Sequence, residues 1–281
     1  MIRVDRLVKK YENFTALNSI SFSIGRGSFF GLLGPNGAGK TTFVRILSSL
    51  TRPTSGEISI EGRKINRNNS ETKRRIGIVS QHITLERELS VYKNLELQAR
   101  LFGIDKKERH EKIMGELEFA DLVDKKEEQI KNLSGGMKRK LMIVKAMIHK
   151  PSVLVMDEPT VGLDVASRRK IWDYLKKLHM AGTTIILTTH YIEEAEHLCD
   201  RVALLNRGNV VALDTVPALI QKVGLFALDR FDEEEDKTIT YFFNDRDLAV
   251  EEAKKHTGDV KIRNTNLEDA FVQLTSERVV G

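Results

Sequence analysis

The stretch Gly34-Pro35-Asn36-Gly37-Ala38-Gly39-Lys40-Thr41-Thr42 constrains this chain more than any other feature. Its outer glycines, lysine and first threonine stand at the spacing of a phosphate-binding loop, which demands a strand before it and a helix after it. The glycines let backbone N–H groups turn inward, Lys40 brings a cation to the terminal phosphates, and the Thr41 hydroxyl can hold Mg²⁺. The apolar run at residues 29–33 supplies the strand, and residues 42–50 supply the helix. A nucleotide is the expected ligand.

The rest of the chain fits an α/β fold around that loop. Short apolar runs alternate with helical patterns as far as residue 215, as in a domain built on a largely parallel sheet. Candidate strands fall at residues 2–8, 19–24, 29–33, 57–60, 76–79, 153–156, 184–188 and 202–205. The early ones alternate polar and apolar, like an antiparallel sheet. Those leading to the loop, to Asp157 and to His190 are apolar throughout, like strands covered on both faces. Residues 89–132 lose the strand pattern and read as a helical insertion, with amphipathic stretches at 91–101 and 107–119. Residues 216–281 read as a small α+β appendix: a hairpin at 225–243 around the acidic run 232–236, a helix at 246–256, a strand at 260–263 and a helix at 267–275.

Two further motifs carry chemistry. Val153-Leu154-Val155-Met156-Asp157-Glu158 is an apolar strand ending in adjacent carboxylates. Neighbours on a strand face opposite ways, so Asp157 is expected to hold Mg²⁺ and Glu158 to reach the attacking water as general base. Leu133-Ser134-Gly135-Gly136-Met137 opens an amphipathic helix running to about His149. Ser134 can cap that helix, and the N–H groups of Gly135 and Gly136 lie at the positive end of its dipole. With one triphosphate loop already present, a second anion site implies a nucleotide held by another molecule, and so a composite site across a dimer.

In this order the motifs resemble those of the ATP-binding subunit of an ABC transporter, across roughly the first 215 residues. The resemblance implies a P-loop ABC ATPase head with a mixed sheet core, an antiparallel β subdomain and a helical insertion. It implies that Ser134 and Gly136 contact the γ-phosphate of ATP seated in the loop of a second head, and that Thr42 contacts the α-phosphate. Gln81 resembles the residue that touches Mg²⁺ and the attacking water and links the site to the membrane partner; alone it reads as a surface glutamine. His190 resembles the histidine that senses the γ-phosphate, and alone is a hydrogen-bonded strand-end residue. Asp164, in Gly162-Leu163-Asp164, matches the loop that communicates across the dimer and equally reads as a helix cap. Tyr11 stands where the family places an aromatic under the adenine, and otherwise reads as a half-buried strand tyrosine. Trp172 and Cys199 read as core.

Met137-Lys138-Arg139-Lys140 and the tail Asn266-Leu267-Glu268-Asp269-Ala270-Phe271-Val272 resemble the daunorubicin-resistance-type branch, whose ATPases serve ABC-2-type exporters. Alone, the basic run reads as a solvated helix face. Residues 82–95 occupy the region where family members receive coupling helices from the membrane subunit.

Composition narrows the partners. The chain has 281 residues, 41% hydrophobic and 30% charged, without an apolar run of about 18 residues or an apolar signal core at its start. Neither a membrane span nor export of the chain itself is expected, so transport needs an integral membrane permease subunit. The chain would then sit in the cytoplasm, peripheral on the inner face of the cell membrane. A net charge of +5, interleaved with acids, forms no stripe for nucleic acid, and none is expected as a partner. The single cysteine fits a reducing compartment. The second head is expected to be another copy, because every motif for two competent sites by self-pairing is present. A rival reading, an ABC ATPase acting on ribosomes or DNA, would call for two heads in one chain, or for a long coiled coil or zinc module.

Overall fold

A computed structural model describes residues 2–66, 70–232, 236–256 and 258–276. The chain begins with strands β1 (Ile2–Tyr11), β2 (Phe14–Ile24) and β3 (Phe29–Leu33), followed by helix α1 (Lys40–Leu47). Then come β4 (Ser55–Ile60), β5 (Arg63–Lys64), α2 (Ser70–Arg74) and β6 (Ile76–Val79). Helices α3 (Val91–Leu101), α4 (Lys106–Phe119) and α5 (Gly135–Met147) precede β7 (Val153–Asp157). Alternation resumes with α6 (Val165–Met180), β8 (Thr184–Thr189), α7 (Ile192–Leu198), β9 (Arg201–Asn206) and β10 (Asn209–Thr215). The chain ends with α8 (Val216–Gln221), β11 (Phe226–Asp232), β12 (Lys237–Phe243), α9 (Arg246–Ala253), β13 (Val260–Asn264) and α10 (Leu267–Ser276).

A six-stranded sheet of order β10-β9-β3-β8-β7-β6 forms the centre, parallel except for the antiparallel edge strand β10. Its inner strands are apolar because both faces are covered. Along β3, Phe29 and Leu33 enter a core shared with α3 to α6, while Phe30 and Leu32 enter one shared with α1 and the early strands. The period-2 reversal of side chains thus divides one apolar run between two cores. The early strands form the expected antiparallel sheet, of order β2-β1-β4-β5. A third sheet, β12-β11-β13, is antiparallel, and Arg263 bridges it to α10 through Asp229 (2.7 Å) and Asp269 (2.6 Å).

Several elements differ from the sequence reading. The helix after the loop starts at Lys40, because Gly39 at φ 113° ends the loop and serves as its N-cap. Strand β2 starts five residues before the apolar alternation and pairs with β1 across register shifts that blur the period. Strand β10 was not expected. It follows a tight turn at Arg207 and Gly208, both with positive φ (47° and 78°), the backbone of a two-residue hairpin. The tip of the acidic hairpin, residues 233–235, lies outside the described residues.

Trp172 and Cys199 are buried as expected. Trp172 Nε1 donates to Glu194 Oε1 (3.2 Å), which also accepts from Thr160 Oγ1 (2.9 Å). Glu194 is fully enclosed, and burial raises its carboxyl above the ordinary glutamate range. A carboxyl raised in the folded state favours folding while protonated, and that contribution is lost as pH climbs through the raised value. The fall in melting temperature between pH 5 and pH 8 should therefore be smaller in Glu194→Gln than in the wild type. Glu194→Ala should cost about 1–3 kcal/mol in chemical denaturation, because Thr160 and Trp172 lose their acceptor.

Candidate functional site

The phosphate-type loop joins the carboxyl end of β3 to α1. Gly34 lies so close to β9 that a Cβ there would stand 2.2 Å from the Leu205 carbonyl oxygen. Gly37, at φ 81°, faces open space, and Pro35 and Asn36 are exposed beside it, whereas Ala38 is buried. Lys40, Thr41 and Thr42 form the first turn of α1, with Thr41 exposed and Thr42 half-buried. Pro35, Asn36 and Gly37 of the loop and Thr41 of the helix start are thus the exposed positions here, at the helix N-terminus that suits an anion.

Lys40 turns the other way and is only 5% exposed. Its Nζ donates to the Gly34 (2.7 Å) and Pro35 (3.1 Å) carbonyls and lies 3.8 Å from Glu158 Oε1. Burial pulls its ammonium below the ordinary lysine range, and the charges of Glu158 and Asp157 work against that shift.

Glu158 is the hub. Gln81 Nε2 donates to its Oε2 (3.1 Å), and His190 Nδ1 lies 3.1 Å from its Oε1. A carboxylate only accepts, so this contact assigns the proton to Nδ1. Asp157 is buried and accepts from Thr188 Oγ1. The simple strand alternation expected of this pair is corrected here: β7 ends at Asp157, and Glu158 turns into the left-handed region at φ 50°. Its N–H donates to the Thr188 carbonyl (2.9 Å), so the backbone rotates the carboxylate toward Lys40. Lys40, Gln81, Asp157, Glu158 and His190 thus come together at the ends of β3, β6, β7 and β8.

The other expected residues lie apart. Ser134 caps α5 by accepting from the Met137 N–H (3.2 Å), leaving Gly135 and Gly136 in the first helical turn. Asp164 caps α6, accepting from the Ser167 N–H (2.8 Å) and Oγ (2.7 Å). A Cβ on Gly136 would meet Ser167 Cβ at 3.1 Å, so the glycine lets the two capped helix starts pack together. Among the described residues, no hydrogen bond or ion pair joins this group to Lys40 or Glu158 of the same copy. Tyr11 closes β1 as an exposed ring stacked on Phe14 (centroids 5.3 Å apart), with Lys9 Nζ 4.9 Å from its centre.

Three residues near the site escaped the sequence reading. Phe14 is 60% exposed and pairs directly across the hairpin from Tyr11; an aromatic three residues on was the available signal. Glu194, described above, ties the turn after Glu158 to α6. Arg139 is buried, although its Lys-Arg-Lys setting reads as a solvated face. Its two terminal nitrogens donate to the Ser80 and Gln81 carbonyls, each at 2.9 Å.

Comparison with known proteins decides the family, because the profile described as ABC transporter matches residues 17–161, more than half of the chain. The chain belongs to the ABC transporter family. It is an ABC-type ATPase, and its likeness runs through the C-terminal sheet. Nod factor export ATP-binding protein I of Cupriavidus metallidurans is 36% identical, covering 99% of this chain and 98% of that protein. A daunorubicin resistance ATP-binding protein of Streptomyces coeruleorubidus is 35% identical, covering 98% of this chain and 96% of that protein. A dimeric ATP-binding cassette in a post-hydrolysis state, bound to ADP and Pi, superposes with a TM-score of 0.68 at 29% identity, over 76% of this chain and 98% of that one. No helix among the described residues of this ABC ATPase is long and apolar enough to cross a membrane.

The approach of Gly34 to β9 sets a direct test. Gly34→Ala should lower stability by about 1–3 kcal/mol, the usual range for overpacking. The same variant should lose binding of a fluorescent ATP analogue, because relief of the 2.2 Å contact must move the loop.

Proposed function

We propose that two copies of this ATPase close around two Mg·ATP, hydrolyse them, and drive export of a substrate through a separate integral membrane permease. The observation that carries this reading is the split between the Lys40–Glu158 cluster and the capped tip at Ser134. Each copy has the base and phosphate loop for one nucleotide and an unpaired anion-binding helix start for another. The dimeric relative holding ADP and Pi supports the same arrangement. The export named for the Nod factor relative supports the direction of transport, and the resistance named for the daunorubicin relative fits the kinship with ABC-2-type systems.

In this reading the loop from Gly34 to Gly39 cradles the phosphates by its N–H groups, Thr42 reaches the α-phosphate, and Tyr11 with Phe14 presents a stacking platform to the adenine. Lys40 exchanges its two carbonyl partners for terminal phosphate oxygens. Glu158 takes a proton from the attacking water while Gln81 and His190 hold its carboxylate in place. Ser134, Gly135 and Gly136 close over the γ-phosphate in the other copy, and Asp164 keeps the neighbouring α6 start in register with them. The Thr41 hydroxyl, the Asp157 carboxylate and the Gln81 amide oxygen are hard donors of the kind Mg²⁺ takes, and they fit it. Bound there, the ion would neutralise charge developing on the phosphates. Residues 82–95 would meet the permease, placing the chain at the inner face of the membrane, with residues 1–215 as the head and 216–281 as an accessory region.

Glu158→Gln should lower turnover at least about 10²-fold, the usual loss on removing a general base. Size-exclusion chromatography should still show ATP bringing two copies together; near-normal hydrolysis in this variant would remove Glu158 from the mechanism. Tyr11→Ala should weaken nucleotide binding by about 1–3 kcal/mol, the range for lost aromatic–base stacking, read by titration of a fluorescent ATP analogue. Recovery of the tagged chain with detergent-extracted membrane protein supports the transport reading, and recovery with ribosomes or DNA supports the rival.

A further inference from the structure

Arg139 is an unusual residue to find buried. It is 6% exposed, and among the described residues no carboxylate lies within ion-pair distance of it. Glu194 acts on it only as a more distant charge, and burial lowers its guanidinium from the ordinary arginine range. A dry cation without a paired anion is expensive unless every donor it turns inward is met. What meets Arg139 is chiefly backbone: Nη1 on the Ser80 carbonyl and Nη2 on the Gln81 carbonyl, both at 2.9 Å, with Met142 Sδ a weak further acceptor for Nη1 at 3.9 Å. The planar fork of arginine fits two successive carbonyls in a way that a single ammonium does not.

The same helix grips the same segment a second time. Lys145, also on α5, donates from Nζ to the Thr84 carbonyl (2.7 Å). The carbonyls at 80, 81 and 84 are therefore all held by α5, and a shift of α5 carries the segment with it. At the start of α5 stands Ser134, five residues before Arg139, which is about 7.5 Å along the axis. Beyond the segment stands the Gln81 amide, 3.1 Å from Glu158 Oε2.

We propose that Arg139 is a positioning residue that couples the two nucleotide sites of the dimer, by fixing the helix that closes over the partner's nucleotide to the loop that holds this copy's own general base. The inference rests on the two-copy reading above and adds a named route between its halves. Engagement of Ser134 by the partner's γ-phosphate displaces α5, the guanidinium transmits that shift to the Gln81 backbone, and the Gln81 side chain adjusts Glu158. Each site then responds to occupancy of the other.

The test is ATP hydrolysis by the full-length chain across a range of ATP concentrations. The variants are Arg139→Met, Arg139→Lys, Gln81→Ala, the double variant Arg139→Met with Gln81→Ala, and Ser134→Glu. Binding of a fluorescent ATP analogue and thermal melting are followed in parallel. The wild type should show a Hill coefficient approaching two, the number of sites. Arg139→Met should bring it toward one and lower kcat about tenfold, as loss of positioning does, with analogue affinity within about twofold of wild type. Arg139→Lys, keeping the charge and one prong, should fall between. The double variant should be no worse than the poorer single one, since both break the same route.

Wild-type cooperativity and kcat in Arg139→Met overturn the proposal, as do losses that multiply in the double variant or hyperbolic kinetics in the wild type. If Arg139→Met fails to fold, Arg139→Lys decides: an unchanged Hill coefficient overturns the clamp, and a reduced one supports it. Ser134→Glu separates the two levels of argument. Full cooperative turnover in that variant fells the two-copy reading and this inference with it. An inactive Ser134→Glu beside normal Arg139 variants fells the clamp alone.

Discussion

A lysine ammonium and a glutamate carboxylate, both largely withdrawn from water and 3.8 Å apart, are the constraint around which the site is arranged. An unpaired buried ion costs several kcal/mol, and here each charge is met: Lys40 by Glu158 and two carbonyls, Glu158 by Lys40, Gln81 and His190. The two follow strands that are not neighbours: β3 and β7 are separated by β8. The strand between them must therefore end in groups that fit beneath the pair. Strand β8 ends in Thr188 and Thr189 with His190 beyond, and two of these engage the carboxylates of Asp157 and Glu158. Parallel topology puts all of these ends on one edge, where an α/β sheet presents its ligands.

Strain is part of the same arrangement. Glu158 occupies the left-handed region, at a cost of about 1–3 kcal/mol for a residue with a side chain. Its N–H bond to Thr188 and the three partners of its carboxylate hold it there. A regular strand continuation would satisfy the backbone equally well, but it would not turn the carboxylate onto Lys40. The unfavourable dihedral is thus the local consequence of bringing the base and the phosphate-binding lysine together.

What the sequence makes legible is whatever local chemistry determines. The glycine spacing of the loop, the Ser134 and Asp164 caps and the apolar runs of β3, β7 and β8 are properties of adjacent residues, and the fold contains each of them. The residues that escaped act over long separations or against their surroundings. Arg139 contacts a loop 58 residues earlier in the chain. It sits between two half-buried lysines, and a run of three basic residues reads as a solvated face, so the charge pattern assigns it to the wrong side. Glu158 itself was legible from its residue type, and only its direction was not, because that depends on a single backbone dihedral. Strand β10 was missed because its burial is only intermediate, and its pairing comes from the turn rather than from an apolar pattern.

Helix α7 shows how the parts behind the site are fastened to it. Glu194 and Glu196 are two residues apart, about 200° around a helix, so they face opposite ways. Glu194 points inward and fixes Thr160, two residues beyond Glu158, against Trp172 of α6. Glu196 points outward, and its Oε2 accepts the Leu267 N–H at the start of α10 (3.1 Å). A carboxylate at a helix N-terminus satisfies a donor that the helix itself cannot, and it opposes the positive end of the dipole. One short helix, entered directly from His190, therefore carries an inward anchor for the base-bearing turn and an outward anchor for the C-terminal helix. The C-terminal elements are joined to the rear of the catalytic edge by that same segment.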